Sequence, residues 1–224
     1  MNTASRFIPA ALAALVLSSP VAAQEWYGQI FGSYADLSDE TASLNNSGAS
    51  VRSTFDDGYG LGIAFGREIS SWSNDNIGVR AELELSYTRS SVSSVDFSGN
   101  GAGAEGNPGG SVDGTRIFGN IFADFKQAGR FTPYVGAGVG VAFVDQNIIY
   151  GGAPVTITGD DSALSAQLIA GGSYDLQNNI SLFADVRYIR DFDVEGTRRS
   201  PALVSRTIND FDNVTVNFGL RYAF

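Results

Sequence analysis

An apolar residue at every second position, sustained over windows of roughly ten residues instead of the ~5–6 of an ordinary strand, constrains this chain more than any other feature. Tyr59, Leu61, Ile63 and Phe65 alternate with Gly58, Gly60, Gly62, Ala64 and Gly66. Ile77, Val79, Ala81, Leu83, Leu85 and Tyr87 alternate with Gly78, Arg80, Glu82, Glu84, Ser86 and Thr88. Successive strand side chains point to opposite sides, so each window presents one greasy face and one small or charged face. The pattern returns over Thr115 to Lys126, Tyr134 to Phe143, Leu164 to Tyr174, Ile180 to Ile189 and Val214 to Phe224. A window at Trp26 to Tyr34 has aromatics in both registers and its phase stays open.

The connectors alternate in length. Short polar turns lie around Ser70 to Asn76, Gln127 to Arg130 and Gln177 to Asn179. Between them come long stretches, Leu37 to Asp56, Val92 to Gly114, Asp145 to Asp161 and Asp193 to Asp212, whose Gly, Asn, Ser and Asp content reads as mobile loop. An up-and-down antiparallel sheet has this form when turns occupy one rim and loops the other.

Three architectures share such a sheet: a soluble sandwich, a soluble periplasmic ligand-binding barrel and a transmembrane barrel, and they differ in which face turns inward. A row of glycines makes a poor water-facing strand but suits the crowded inside of a small barrel. Strands of this length, tilted near 45°, also match the hydrocarbon layer. The expected fold is therefore all-β, an eight-stranded antiparallel up-and-down transmembrane β-barrel with short periplasmic turns and long extracellular loops. Tyr27, Tyr59, Tyr87, Tyr174, Tyr188, Tyr222 and Phe224 lie near window ends, where interfacial aromatic girdles belong.

A barrel of eight strands has an interior that side chains can fill. Arg80, Arg116, Lys126, Arg187 and Arg221 would share it with Glu82, Glu84, Asp124 and Asp185, charges of both signs that can saturate one another. Two uses stay open: a polar plug in a structural or surface-interaction protein, and a narrow porin-like path for ions or small solutes.

Composition removes other classes. The chain has no His and no Cys, which takes away the usual general base, serine-triad base, thiolate metal ligand and disulfide framework. Neither enzyme nor cofactor is expected. A net charge of -10 disfavours nucleic acid as a partner. Gly101, Gly103 and Gly106 fit G-x-G-x-x-G, but no helical pattern follows and loop flexibility explains them. Met1 to Ala23 carries Arg6, an apolar run from Phe7 to Leu17 and the small residues Val21, Ala22 and Ala23, a secretory signal peptide cut after Ala23. Residues 24–224 then form one barrel domain.

The chain ends on Phe224, with Tyr222, Leu220, Phe218 and Val216 at every second position before it. This resembles the C-terminal signal that the barrel assembly machinery reads in bacterial outer-membrane barrels. With the run Pro133 to Gly140 and the sequence Asp185, Val186, Arg187, Tyr188, the mature chain resembles the small outer-membrane β-barrel domain family, which includes OmpA/OmpX-type barrels and porin-like surface antigens of Gram-negative bacteria. The resemblance implies location in the cell outer membrane. Contact with lipid and lipopolysaccharide, the latter through Arg198, Arg199 and Arg206, and a monomeric state are expected as well. Enzymatic barrels of the known families rely on His, which this chain lacks.

Overall fold

The computed structural model describes residues 26–38, 40–44, 49–98, 104–105, 109–127, 129–150, 155–177, 179–199 and 204–224. The segment read as a signal peptide, and Gly101, Gly103 and Gly106, lie outside them. The strands are β1 (Trp26–Leu37), β2 (Glu40–Leu44), β3 (Ala49–Phe55), β4 (Gly58–Glu68), β5 (Ile77–Ser98), β6 (Ala104–Glu105), β7 (Gly109–Phe125), β8 (Phe131–Tyr150), β9 (Val155–Gln177), β10 (Ile180–Arg199) and β11 (Val204–Ala223). Eight of them pair antiparallel in a closed ring, β1-β4-β5-β7-β8-β9-β10-β11, with β11 returning to β1 in the register Tyr27↔Ala223 to Leu37↔Asn213. Closure leaves no open edge in lipid, where each unpaired N–H or C=O would cost several kcal/mol. The Phe224 amide donates to the Trp26 carbonyl at 3.0 Å and ties the chain end to β1.

The greasy faces turn outward. Leu61, Val139 and Phe218, from three different strands, are 65%, 68% and 63% exposed. Glycines fill the inside where space is shortest: a Cβ on Gly62 would collide with the Phe31 ring, and one on Gly136 with the Phe122 ring. The phase of β1 is now fixed. Tyr27, Gln29, Phe31, Ser33 and Ala35 point inward, whereas Ile30 and Tyr34 face lipid. Tyr27 therefore belongs to the lumen and not to a girdle, because its ring and hydroxyl serve arginines inside. Tyr59, Tyr87, Tyr174, Tyr188 and Tyr222 face outward.

The long connectors are mostly strand. β5 has 22 residues, β9 has 23, and β8, β10 and β11 have 20 each. A spanning strand needs only ~9–11, so about half of each rises beyond the hydrocarbon layer. The short β2–β3 hairpin and β6 add to β5 in this extension.

In the extension the sidedness inverts. Along β8 the outward residues change from Val139, Val141 and Phe143 to Asp145 and Asn147, while the inward ones change from Gly136, Gly138 and Gly140 to Ala142, Val144 and Ile148, with Gln146 as the one polar inward residue among them. Inward Leu37, Val92, Val112, Ala142, Val144, Ile148, Ala163, Val194 and Phe211 form one buried apolar cluster, with Phe55 packed on it. Once the outside meets water instead of acyl chains, an apolar interior and a polar exterior become the stable arrangement.

Candidate functional site

The lumen stacks three charged layers beneath that apolar cluster. β5 supplies Arg80, Glu82 and Glu84 at every second position, β10 supplies Asp185, Arg187 and, beyond the inward Ile189, Asp191, and β7 supplies Arg116, Asn120 and Asp124.

In the periplasmic layer, Arg80 Nε donates to both oxygens of Asp124 at 3.0 Å, and its Nη1 donates to Tyr27 at 2.8 Å and to Glu82 at 3.2 Å. The Tyr27 hydroxyl donates in turn to Glu82 at 2.9 Å. The Arg80 guanidinium lies 3.6 Å from the Phe122 ring centroid, a cation–π contact in a site shielded from water.

The middle layer centres on Arg187, which meets Glu84 at 2.6 Å and Asp185 at 2.9 Å. Asn120 donates to Glu84 at 2.9 Å and accepts from Gln167 at 2.8 Å, while Tyr134 and Asn217 donate to Asp185 at 2.9 and 2.8 Å. Such neutral donors use the carboxylate lone pairs that the arginine leaves over, which a buried ion pair requires. In the upper layer, Arg116 grips Asp191 through Nε and Nη2, at 3.1 and 2.7 Å, and donates to Thr88 at 2.9 Å. Ser165 donates to Asp191 at 2.6 Å.

The structure thus brings Arg80, Glu82, Glu84, Arg116, Asp124, Asp185 and Arg187 into this stack, with Arg221 beside its periplasmic layer. Lys126 is the exception. Its side chain is 42% exposed and pairs with Glu68 at 3.0 Å on the rim, because β7 ends at Phe125 and carries the following residue out of the barrel. Asp191 was missed by the sequence reading although it keeps the inward parity of Asp185 and Arg187, since that window closed at Ile189. Tyr27, Tyr134, Asn120, Gln167 and Asn217 were missed as partners because residue type alone does not distinguish a network donor from a strand former.

Of the C-terminal residues, Phe218, Leu220 and Tyr222 face lipid. Phe224 packs edge-on to Tyr222 at 5.4 Å and near Phe65 at 6.3 Å, completing a periplasmic aromatic collar with the stacked pair Trp26 and Phe65. At the other rim Tyr34 meets Tyr59, Tyr87 donates to Asp113 and Tyr188 donates to Asp212. Among the described residues no group of three or more His, Cys, Asp or Glu side chains is placed to hold a metal ion. The side chains of Arg198, Arg199 and Arg206 lie outside those described.

A closed eight-strand ring, lipid-facing outside and ionic inside, between two aromatic collars, defines an integral outer-membrane β-barrel protein. Residues 10–224 match the family described as outer membrane protein beta-barrel domain, and the chain belongs to it. No curated protein matches the sequence. Among solved structures, the outer membrane protein OprG from Pseudomonas aeruginosa is similar at a TM-score of 0.61 and 17% identity, covering 90% of this chain and 96% of that one. Neisserial surface protein A gives 0.53 and 18%, covering 89% and 97%, and the outer membrane protease OmpT from Escherichia coli gives 0.53 and 9%, covering 93% and 99%. At these identities the likeness is one of fold.

Proposed function

We propose that this protein is a sealed outer-membrane barrel with a structural or surface-interaction role, whose working surface is the strand extension beyond the membrane. The observation that carries this reading is the apolar cluster of Leu37, Val92, Val112, Val144, Ile148, Val194 and Phe211 across the extracellular end of the lumen. An ion following the axis would leave three layers of hydrogen-bonded charge and then enter an interior lined by this cluster and by the uncharged Ser90, Ser111, Gln146 and Asn213, where no buried charged side chain among the described residues replaces its hydration, at a cost of several kcal/mol. The protein has no catalytic role in this reading. The carboxylates Glu82, Glu84, Asp185 and Asp191 hold arginines inside the lumen, and the sequence offers no His as a base. Val216, Phe218, Leu220, Tyr222 and Phe224 serve as the signal for the barrel assembly machinery, and the outer collar contacts lipopolysaccharide. The protein acts as a monomer, with no cofactor and no nucleic-acid partner.

Planar-bilayer recording on refolded protein tests the seal. The expected result is no stable single-channel steps. Steps that disappear on neutralising Glu82 or Arg187 would instead establish the narrow porin-like channel.

A further inference from the structure

Arg221 differs from every other lumen arginine. Arg80, Arg116 and Arg187 each have a carboxylate within 3.2 Å, but Arg221 makes no ion pair among the described residues. Its Nε donates to Gln29 at 3.2 Å, and its guanidinium stands near the rings of Tyr27 at 4.8 Å, Phe183 at 5.7 Å and Tyr134 at 5.9 Å. Arg80 flanks two of the same rings, at 5.6 Å from Tyr27 and 4.9 Å from Tyr134. Its Nη2 is buried with no hydrogen-bond partner, while Nε and Nη1 are taken by Asp124, Glu82 and Tyr27. Two like charges therefore flank the same rings, Arg80 with one buried donor unused and Arg221 with a hydrogen bond from Nε alone among the described residues, and both nearby carboxylates are spent on Arg80. A guanidinium withdrawn from water is stable only with an acceptor in place, and planar forked donors suit oxyanions.

Access is from one side. The apolar cluster closes the extracellular end, whereas Asp124 and Arg221 keep partial exposure at the periplasmic end. We propose that the terminal nitrogens of Arg221, with Arg80 Nη2 behind the same rings, bind one oxyanion group, a carboxylate or phosphate entering from the periplasm, beside Tyr27, Tyr134 and Phe183. The anion supplies the counter-charge that Arg221 lacks.

The test uses the refolded full-length barrel in detergent, with acetate and inorganic phosphate as separate probes replacing chloride at constant ionic strength. Calorimetric titration of the wild type is expected to give saturable one-to-one binding for at least one probe, and the two arms distinguish a carboxylate from a phosphate source. Arg221→Gln, which keeps a donor but removes the charge, is expected to weaken that binding tenfold or more, and Arg221→Lys to restore part of it. Equal binding by wild type and Arg221→Gln, or no saturable binding of either probe, overturns the proposal. Should Arg221→Gln fail to refold, wild-type crystals soaked in selenate decide the matter. An anomalous peak between Arg80 Nη2 and Arg221 supports the site, and water alone there overturns it.

Discussion

Arg187 on β10 reaches across the lumen to Glu84 on β5 at 2.6 Å, joining strands far apart in sequence through a fully buried ion pair. Removing one member leaves the other charge buried and uncompensated, at a cost of about 3–5 kcal/mol. Glu84→Leu and Arg187→Leu should each lower the urea midpoint of the refolded barrel accordingly, and the double variant should lose less than their sum. Additive losses would show that the two side chains act independently.

Val194 is buried in the apolar cluster of the extension. Val194→Asp places an unpaired carboxylate there, with a penalty of several kcal/mol. The expected outcome is faster proteolysis of the extension while heat-modifiable migration of the membrane-embedded part persists. Unchanged proteolysis would remove the cluster from the account of the seal.

Gly62 faces the Phe31 ring with no room for a side chain. Gly62→Val should destabilise the barrel by about 1–3 kcal/mol through overpacking, and the pair Gly62→Val with Phe31→Ala should recover part of that loss. Urea titration reads both.

Asp193 stands at a bulge in β10 with a left-handed φ of 53°, and its amide donates to Asp210 at 2.9 Å. Asp210 lies above the lipid-facing run of β11, and the Asp193 amide, followed by the Arg190 guanidinium, holds its carboxyl below the usual value of 3.8. A depressed carboxylate contributes stability that is fully present above its unfolded pKa and is lost as pH falls through the folded one. The Asp193 amide should therefore stay protected from hydrogen exchange past the ordinary carboxylate range and lose protection only at more acid pH, as Asp210 titrates at its depressed value. Asp210→Asn should abolish that acid step. An acid step of the same size in Asp210→Asn would assign it to another group.

The membrane half of the fold was legible because lipid outside and a crowded lumen inside demand opposite residue types at alternate positions, as Leu83 and Leu85 against Glu82 and Glu84 show. The extension was not. There Ser90, Ser91 and Ser93 surround Val92, and the inversion of sidedness makes a water-facing strand read like a polar loop. The bulge at Asp193 also breaks the parity that would have carried the pattern from Asp191 to Val194. Tyr27 and Phe31 confused the phase of β1 because an aromatic serves lipid and a buried arginine equally well.

The outward orientation of the greasy faces is tested most directly by spin-label accessibility, and a chain without Cys gives clean single-site variants. Labels at Leu61, Val139 and Phe218 in lipid-reconstituted protein should collide freely with oxygen and scarcely with a water-soluble nickel complex, whereas a label at Asp145 should show the reverse. Labels at Leu61, Val139 and Phe218 shielded from both reagents would mean a dry apolar centre and would contradict a membrane-spanning barrel.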